Sequence, residues 1–432
     1  MVPMIPRDRG VSSEWFYQHV EAIAIMKPFP AVERGLAPGD ETRAVRSGIK
    51  SDTAHGAVMP PLYLSSNYAF EALGEPGRYD YSRTANPNRD QFGATLAELE
   101  RGAAAVVTGS GMSAVTLITT LLNPGDRLIV PHNCYGGCHR LFSRLAGKGQ
   151  FEAQFVDFTR EGALEAACHA ASPRMIWVET PSNPLLRITD IAAVATVARR
   201  HKALLVVDNT FLSPALQKPL TLGADLVLHS TTKFINGHSD VVGGAVVAGD
   251  QDLADELAWW ANCLGLTGSP FDSYMSQRGL RTLHARLRAH QENTQAVVDL
   301  LAGSKLVRRL HYPGLPSHPD NAIATRQQLG FGSMLSFELN GGQAAVAALV
   351  HQLRLFTLAE SLGGVESLVC HPATMTHASM TTQARERAGI SSGLVRLSVG
   401  IEQVQDLRLD LTRALDFAGR SQRPGLEMLD VG

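Results

Sequence analysis

The chain has 432 residues, of which 44% are hydrophobic and 19% charged, so it is long enough to bury the cores of two or three globular domains. Its 39 basic and 41 acidic residues leave a net charge of −2, which gives no overall field to hold nucleic acid or an anionic membrane surface. The expected partners are therefore small molecules, with no nucleic acid and no membrane.

The cysteines indicate a reduced protein without a metal. Five cysteines are too few and too scattered for a disulfide framework in a chain of this length, which favours cytoplasmic thiols. The close pair Cys134 and Cys138 lacks the second pair of ligands that a zinc site needs, so we expect no metal. No apolar run approaches the length of a membrane span, and residues 1–10 contain no apolar signal-peptide core. We therefore expect a cytoplasmic protein.

The first hundred residues are poor in long apolar patterns. Residues 1–40 carry prolines and mixed charges around one aromatic cluster, Trp15-Phe16-Tyr17, and we expect a mobile extension rather than a domain. Residues 41–100 include a stretch rich in Pro and Tyr, from M-P-P-L-Y-L-S-S-N-Y to R-Y-D-Y-S-R-T-A-N-P-N-R. Because this stretch has too many breakers for long regular elements, residues 41–100 are expected to provide an arm or loop region.

Residues 101–302 alternate short apolar runs with amphipathic stretches. The runs are A-A-A-V-V-T, R-L-I-V-P-H, F-E-A-Q-F-V-D, M-I-W-V-E-T, A-L-L-V-V-D-N, D-L-V-L-H-S and G-A-V-V-A-G. This alternation predicts a large α/β domain whose mostly parallel sheet is covered on both faces. Residues from about 253 to 302 are predicted to be helical, with one long helix through Gln277 to Leu301.

Residues 303–432 predict a smaller C-terminal α/β domain. The runs V-R-R-L-H-Y, S-M-L-S-F-E-L and L-V-R-L-S-V-G have strand character and are interleaved with helical patterns.

The turn G-S-G-M-S-A, from Gly109 to Ala114, follows the first predicted strand and opens a helix. Ligands of open parallel sheets lie at the carboxyl ends of the strands, and small residues there let backbone N–H groups approach a phosphate. The same letters match a dinucleotide fingerprint, the alternative being an NAD-binding protein. That site needs an acidic residue near the end of the second strand, which closes instead on His132 and Asn133. A tight turn without a ligand is the other alternative.

Asp208 and Lys233 are charged residues that directly adjoin or closely follow predicted buried strands. Asp208 ends the run L-L-V-V-D, where a carboxylate needs a cation such as a protonated pyridine nitrogen; a helix-capping role is the alternative. Lys233 follows D-L-V-L in H-S-T-T-K, where burial lowers an amine's pKa; a solvated surface lysine is the alternative. The two are 25 positions apart, which spans one strand, a turn or helix, and the next strand. We therefore expect both at the same edge of the sheet, with the hydroxyls of Ser230 and Thr232 available to a phosphate.

Other side chains suit a flat, phosphorylated cofactor and an anionic substrate. Tyr135, in C-Y-G-G, can stack on a ring, although a core or surface role is the alternative for it. Tyr81 and Arg83 lie in the irregular arm, where a phenol and a guanidinium suit a phosphate. Arg396 is a cation inside an apolar strand, so it needs a substrate carboxylate or a structural salt bridge. The histidines of H-P-A-T-M-T-H lack the spacing of a zinc site and are interpreted as structural or pocket-lining.

With these residues in place, the chain resembles the Cys/Met-metabolism family of pyridoxal-phosphate enzymes from about Glu41 to Phe417. The specific motifs are Y-S-R-T-A-N-P-N-R, G-S-G-M-S-A, E-T-P-S-N-P-L-L-R, V-V-D-N-T-F-L-S-P-A-L-Q, H-S-T-T-K-F-I-N-G-H-S-D and F-T-L-A-E-S-L-G-G-V-E-S-L. The departures are Asn88, where Thr is usual, and Arg101, where Gly is usual. The resemblance implies the aspartate-aminotransferase-like fold (fold type I) and pyridoxal 5'-phosphate as cofactor. It also implies a homotetramer, a dimer of dimers with shared active sites.

The resemblance implies a role for each candidate residue. Lys233 holds the cofactor as a Schiff base and moves protons, Asp208 pairs with the pyridine nitrogen, and Tyr135 stacks on the ring and assists proton transfer. The phosphate falls to residues of two subunits: Gly111, Met112, Ser230 and Thr232, with Tyr81 and Arg83 of the arm region reaching in from the neighbouring subunit. The residues implied to bind the substrate are Asn183, Ser361, Arg396 and Arg140.

Members of this family catalyse γ-replacement, γ-elimination or β-elimination. Here A-E-S-L-G-G lacks the bulky aromatics expected of a β-eliminating member, and Asp80 and Glu360 offer carboxylates to the ammonium of a second amino acid. We therefore expect γ-replacement, in which an O-succinyl- or O-acetylhomoserine and cysteine give cystathionine for methionine biosynthesis. The alternatives are a γ-eliminating lyase and an O-acylhomoserine sulfhydrylase.

Overall fold

The structure is a computed structural model that describes residues 38–378 and 380–421. The mobile extension expected for residues 1–40 falls almost wholly on residues 1–37, which lie outside the described part. Residues 422–432 of the predicted C-terminal domain also lie outside it.

The helices of the described part vary from one turn to 20 residues. They are Asp40–Arg46 (α1), Pro87–Glu100 (α2), Gly111–Thr119 (α3), Gly136–Ala146 (α4), Ala163–Ala170 (α5), Ile191–His201 (α6), Ser213–Leu216 (α7), Gln251–Leu264 (α8), Pro270–Leu280 (α9), Leu283–Ala302 (α10), Asn321–Gln327 (α11), Gly342–Gln352 (α12), Thr382–Arg387 (α13) and Val404–Ser421 (α14), with a 3₁₀ turn at Pro219–Leu222.

The strands are shorter, with at most six residues each. They are Phe70–Ala72 (β1), Glu75–Pro76 (β2), Ala104–Thr108 (β3), Arg127–Pro131 (β4), Glu152–Val156 (β5), Met175–Glu179 (β6), Leu204–Asp208 (β7), Leu226–His229 (β8), Gly244–Ala248 (β9), Val307–His311 (β10), Met334–Leu339 (β11), Thr357–Leu358 (β12), Leu368–Cys370 (β13) and Leu394–Ser398 (β14).

A seven-stranded sheet forms the centre of the large domain, in the order β3-β9-β8-β7-β6-β4-β5. Strands β8, β7, β6, β4 and β5 are parallel, and β9 is antiparallel to both of its neighbours. Each of the seven apolar runs of residues 101–302 forms one of these strands, so the predicted mostly parallel sheet is confirmed. All five residues of β6 are buried, as expected for a strand covered on both faces.

Apolar side chains cover both faces of this sheet. On one face α3, α4 and α8 pack against it through Leu117, Phe142 and Leu257. Side chains of α2 and α6, such as Phe92 and Val194, cover the other face. The sheet is thus the middle layer of three, and its polar groups are concentrated at the ends of the strands.

The C-terminal residues form a second, five-stranded sheet in the order β10-β11-β14-β13-β12, mostly antiparallel, with β12 parallel to β13. Three of its strands coincide with the predicted runs, which confirms the smaller α/β unit. The sequence did not predict β12 and β13, because two or three residues are too few to show periodicity. Val346 of α12 and Leu411 of α14 pack on Phe337 of this sheet.

The predicted long helix from Gln277 to Leu301 is wrong, because the chain turns between α9 and α10. The turn is at Thr282, whose hydroxyl donates to the carbonyl of Gly279 at 3.1 Å. Such local bonds from Thr compete with the helical pattern. Helix α10 then joins the two units: Leu287 is in the core of the large domain, and Val298 is in the core of the small one.

The arm or loop region expected for residues 41–100 is irregular only over residues 47–86, which we call the arm loop and which contain the short strands β1 and β2. Residues 87–100 instead form the 14-residue helix α2, because Pro87 suits the first position of a helix and Asn86 caps it by accepting from Asn88 N at 3.0 Å. Asn88 holds this loop to α2, since its Oδ1 accepts from Tyr63 N and its Nδ2 donates to Pro61 O, both at 2.8 Å. Within residues 38–378 and 380–421, no helix is long and apolar enough to cross a membrane.

Candidate active site

The carboxyl edge of the large sheet collects the ends of strands β3, β4, β6, β7 and β8. These strands run in the same direction, because β3 and β8 are both antiparallel to β9. Asp208 is the last residue of β7, and Ser230 follows the last residue of β8. Tyr135 and Gly111 lie in the turns that lead from β4 and β3 into helices. The fold thus brings the predicted cofactor residues of the large domain to one edge.

Lys233 lies in the turn after β8, with its amine held in a largely buried setting. Its Nζ donates to Ser361 Oγ at 2.7 Å. Burial, and next the positive charge of Arg396, lower the pKa of Lys233 from 10.5 to about 8, while Glu360 acts against this shift. A neutral amine is therefore accessible near neutral pH, and a neutral amine is the form that attacks a carbonyl carbon or accepts a proton.

Asp208 forms a carboxylate pair with Glu179, its register partner at the end of β6. Burial raises the pKa of Asp208, although hydrogen bonds from Thr210, including its N–H at 3.0 Å, act against the shift. Burial and repulsion from Asp208 raise the pKa of Glu179. Among the described residues, no Lys or Arg forms an ion pair with Asp208. A buried carboxylate, Glu179, beside the partly buried Asp208, with no cation of the described part paired to Asp208, fits a protonated pyridine nitrogen, so the residues present suit pyridoxal phosphate.

Glu179 is a site residue that the sequence reasoning missed. Its Oε2 accepts the backbone N–H of Tyr135 at 2.6 Å, which fixes the start of α4 beside Asp208. The available signal was the acidic end of M-I-W-V-E, the same pattern that identified Asp208 in L-L-V-V-D.

The predicted phosphate turn lies where α3 starts, against the turn after β8. Ser110 caps the helix by accepting from Ser113 N at 3.0 Å. The N–H groups of Gly111 and Met112 have no intrahelical partners, because they lie in the first turn of the helix. A Cβ on Gly111 would lie 2.9 Å from Ser230 Cβ, so glycine is needed for the two turns to meet. The Thr232 hydroxyl is engaged with the backbone of Gly243, accepting from its N–H at 3.0 Å.

Arg396 lies in the middle of β14 with its guanidinium turned toward Ser361 and Asn183. Nη1 donates to Asn183 Oδ1 at 2.8 Å and Nη2 to Ser361 O at 2.9 Å, whereas the buried Nε has no partner among the described residues. Burial lowers the pKa of Arg396. Neutral acceptors leave this cation without a counter-ion, so the pocket suits a carboxylate. Ser361 has φ = +82°, a backbone strain of a kind concentrated at functional sites.

Glu360 and Arg140 both lie within electrostatic range of Tyr135. Tyr135 is 44% exposed, and burial of the remainder raises the pKa of its hydroxyl, with Arg140 lowering it and Glu360 raising it. Glu360 and Arg140 are exposed. Glu360 also influences the pKa values of Lys233 and Arg396, so its carboxylate lies within electrostatic range of both. Tyr135 therefore has one anion and one cation in its electrostatic surroundings.

The arm-loop residues are not brought to this edge within the chain. Arg83 donates Nη1 to the Asn262 O and Oδ1 atoms, both at 2.9 Å, and lies over the ring of Tyr81. Asp80 accepts the N–H of Tyr81. All three predicted residues are exposed, and among the described contacts none has a hydrogen bond or ion pair with Lys233.

Of the two histidines interpreted as structural or pocket-lining, His377 lies closer to the substrate pocket. Burial and the charge of Arg396 lower the pKa of His377 to about 4, while a hydrogen bond with the backbone of Asn183 acts against the shift. His371 bonds to Thr374 Oγ1 at 2.8 Å and to the carbonyl of Ser392 at 3.1 Å. A neutral His377 therefore supports the asparagine that orients Arg396.

The family model of the Cys/Met metabolism PLP-dependent enzymes matches residues 41–416. Cystathionine gamma-synthase of Escherichia coli strain K12 is 55% identical over 380 residues, covering 88% of this chain and 98% of the relative. Cystathionine beta-lyase of Coxiella burnetii is 45% identical over 377 residues, covering 87% and 97%. The crystal structure of cystathionine gamma synthase from Xanthomonas oryzae pv. oryzae, in complex with aminoacrylate and cysteine, has a TM-score of 0.88 and 59% identity, covering 89% of this chain and 100% of that chain.

Proposed function

Because this chain belongs to the Cys/Met metabolism family of pyridoxal-phosphate-dependent enzymes, we propose that it joins an O-acylhomoserine to L-cysteine by γ-replacement, giving L-cystathionine. The two γ-synthases are 55% and 59% identical to this chain, against 45% for the β-lyase. The segment Ala359–Gly364 beside Lys233 supports the same choice, because it contains no aromatic side chain that would narrow the pocket to one substrate.

The cofactor site that we propose uses the carboxyl edge of the large sheet. Lys233 Nζ would hold the cofactor, Asp208 the pyridine nitrogen, Tyr135 the ring face, and the turns at Gly111 and Ser230 the phosphate. When bound, pyridoxal phosphate withdraws electrons from the carbon that carries the substrate amine, which acidifies the hydrogen on that carbon. The residues of this chain must then bind the substrate and move the proton.

Proton transfer is assigned to Lys233 because its amine is neutral at accessible pH. With a pKa of about 8, Nζ can take the α-proton of the substrate and return it. The bond to Ser361 Oγ keeps Nζ oriented within the pocket. Arg396 binds the substrate carboxylate through the guanidinium that Asn183 and Ser361 orient, which fixes the α-carbon relative to Lys233.

The second substrate distinguishes replacement from elimination. A replacement enzyme has to hold cysteine beside the first substrate while excluding water. Glu360 at the rim of the pocket, with Asp80 of a neighbouring subunit, offers carboxylates to the ammonium of cysteine. The carboxylate of Glu360 is exposed and within electrostatic range of Lys233, which supports this role.

The proposal is tested by a matched assay of the purified holoenzyme with O-succinylhomoserine or O-acetylhomoserine, each with and without cysteine. We expect cystathionine when cysteine is present, and slower release of α-ketobutyrate and ammonia when it is withheld. Cystathionine cleavage that is faster than synthesis would contradict the proposal: α-ketobutyrate would then identify a γ-lyase and pyruvate a β-lyase. Preference for sulfide over cysteine would identify a sulfhydrylase.

We further propose a cytoplasmic homotetramer, a dimer of dimers in which the arm loop contributes Tyr81 and Arg83 to the neighbouring subunit's phosphate site. The exposed apolar side chains of the arm loop support this, since Leu64 is 67% and Leu73 fully exposed within one chain. Sedimentation of the purified protein tests the oligomeric state.

A further inference from the structure

Glu100, the last residue of α2, is fully buried and is not part of the proposed chemistry. Its Oε1 accepts two hydrogen bonds, from His229 Nε2 at 2.7 Å and from Asn209 Nδ2 at 2.8 Å. All three side chains have no exposed area. One carboxylate oxygen thus connects the end of a helix to the ends of two neighbouring strands, β7 and β8.

Both partners of Glu100 adjoin residues of the proposed cofactor site. Asn209 directly follows Asp208, and His229 directly precedes Ser230. The backbones of the two turns are also linked, since Asn209 N donates to Leu228 O at 3.0 Å. Asp208 is proposed to bind the pyridine nitrogen, and Ser230 the phosphate. The distance between these two residues therefore depends on Asn209 and His229, the side chains that Glu100 holds.

Asn209 extends the same connection to a third strand end. Its amide exchanges hydrogen bonds with Gln217, donating to Gln217 O at 2.9 Å and accepting from Gln217 Nε2 at 3.0 Å. Gln217 Nε2 also donates to the carbonyl of Thr180 at 3.2 Å, immediately after β6. The ends of β6, β7 and β8 are thus tied beneath the site by side chains that do not enter it.

Stability alone gives no reason for a carboxylate at this position. Glu100 Oε2 and His229 Nδ1 have no hydrogen-bond partner among the described residues. Buried polar groups that are only partly satisfied cost free energy relative to apolar side chains of similar volume. The presence of a carboxylate here despite this cost is explained if it fixes the geometry of the adjoining turns.

We propose that Glu100 is a positioning residue for the cofactor: through Asn209 and His229 it sets the separation of Asp208 from the Ser230–Lys233 turn. This inference rests on the proposed cofactor site and not on which reaction the enzyme catalyses. The affinity of the apoenzyme for pyridoxal phosphate therefore depends on the accepting oxygen at residue 100.

The test measures the dissociation constant of pyridoxal phosphate from the apoenzyme by equilibrium dialysis. Glu100→Ala leaves two buried donors unpaired in the turns that hold the cofactor, so we expect about tenfold weaker binding. Glu100→Gln keeps an accepting oxygen, and we expect it to bind within about threefold of the wild type. The pH midpoint of the bound cofactor's absorbance change should move in the alanine variant and stay in the glutamine variant.

Asp410→Ala is the matched control for loss of stability. Asp410 is a buried carboxylate of the small domain that accepts the backbone N–H groups of Arg354 and Leu355 at 3.0 and 2.9 Å. Its loss should lower the melting temperature of the apoenzyme, as Glu100→Ala does, without changing the cofactor dissociation constant. Unchanged cofactor binding in a folded Glu100→Ala variant would overturn the proposal.

His229→Leu decides the question if Glu100→Ala does not fold. It removes the hydrogen bond between His229 and Glu100 and leaves the bond between Glu100 and Asn209. We therefore expect a smaller loss of cofactor affinity with the same change in absorbance midpoint. An affinity and a midpoint equal to those of the wild type would also overturn the proposal. Failure of the wild type to form cystathionine would affect the proposed function but not this result.

Discussion

The carboxyl edge of the large sheet and the arm loop present their candidate residues in opposite ways. At the edge, Asp208 and Lys233 are placed by buried strands of one chain and have shifted pKa values. In the arm loop, Tyr81 and Arg83 are exposed and held mainly by local contacts and by Asn262. Buried strands of one chain can therefore position half of a site without a partner. The arm-loop residues can contribute to a site only if they contact a second chain.

The largest expected effect concerns the edge. Lys233→Ala should reduce kcat about a thousandfold, because the amine that holds the cofactor and moves the α-proton is removed. In the wild type, borohydride reduction should fix the cofactor to the peptide that contains Lys233, as identified by mass spectrometry. Lys202→Ala, a change at an exposed lysine that ends α6, should leave both results unchanged. Label on a different lysine would show that Lys233 does not hold the cofactor and that the carboxyl edge of the large sheet is not the cofactor site.

The intermediate effect tests whether the arm loop serves another subunit. Arg83→Ala should weaken cofactor binding about tenfold, because a charged donor to the phosphate is lost. When Arg83→Ala and Lys233→Ala subunits are mixed and reassembled at a cofactor concentration too low to saturate Arg83→Ala, activity should rise above that of either variant alone, since one intact edge can combine with one intact arm loop.

The control for this mixing uses two changes at the same edge. Asp208→Ala mixed with Lys233→Ala should restore no activity, because neither chain then has an intact edge. If the Arg83→Ala mixture shows no rise in activity either, the arm loop serves its own chain and the contrast between the two regions fails.

The smallest expected effect is at the rim of the pocket. Glu360→Gln should raise the KM for cysteine about threefold, since an exposed ion pair contributes at most about 1 kcal/mol. Asp80→Asn should act in the same direction if the neighbouring arm loop reaches the pocket. Steady-state kinetics with each substrate varied in turn should find the KM for the acylhomoserine almost unchanged. A larger rise for the acylhomoserine would place both carboxylates against the first substrate instead.

Much of the large domain could be predicted because its strands are buried on both faces and so appear as continuous apolar runs. That pattern also located Asp208 and Lys233, which stand out against apolar neighbours. It could not locate Glu100, because α2 buries polar residues such as Gln91 and Thr95 beside apolar ones, so its sequence does not mark Glu100 as buried. The break at Thr282 was missed because its sequence signal is Gly279, and an isolated glycine is also tolerated inside a helical pattern.

Helix α10 has a consequence for how the protein unfolds. Its first half contributes Leu287 to the core of the large domain, and its second half contributes Val298 and Leu301 to the core of the small one. If one unit unfolded while the helix stayed folded on the other unit, the apolar side chains on the uncovered half of the helix would be exposed to water. The two units are therefore expected to melt together in a single cooperative transition, although each has a sheet and a core of its own.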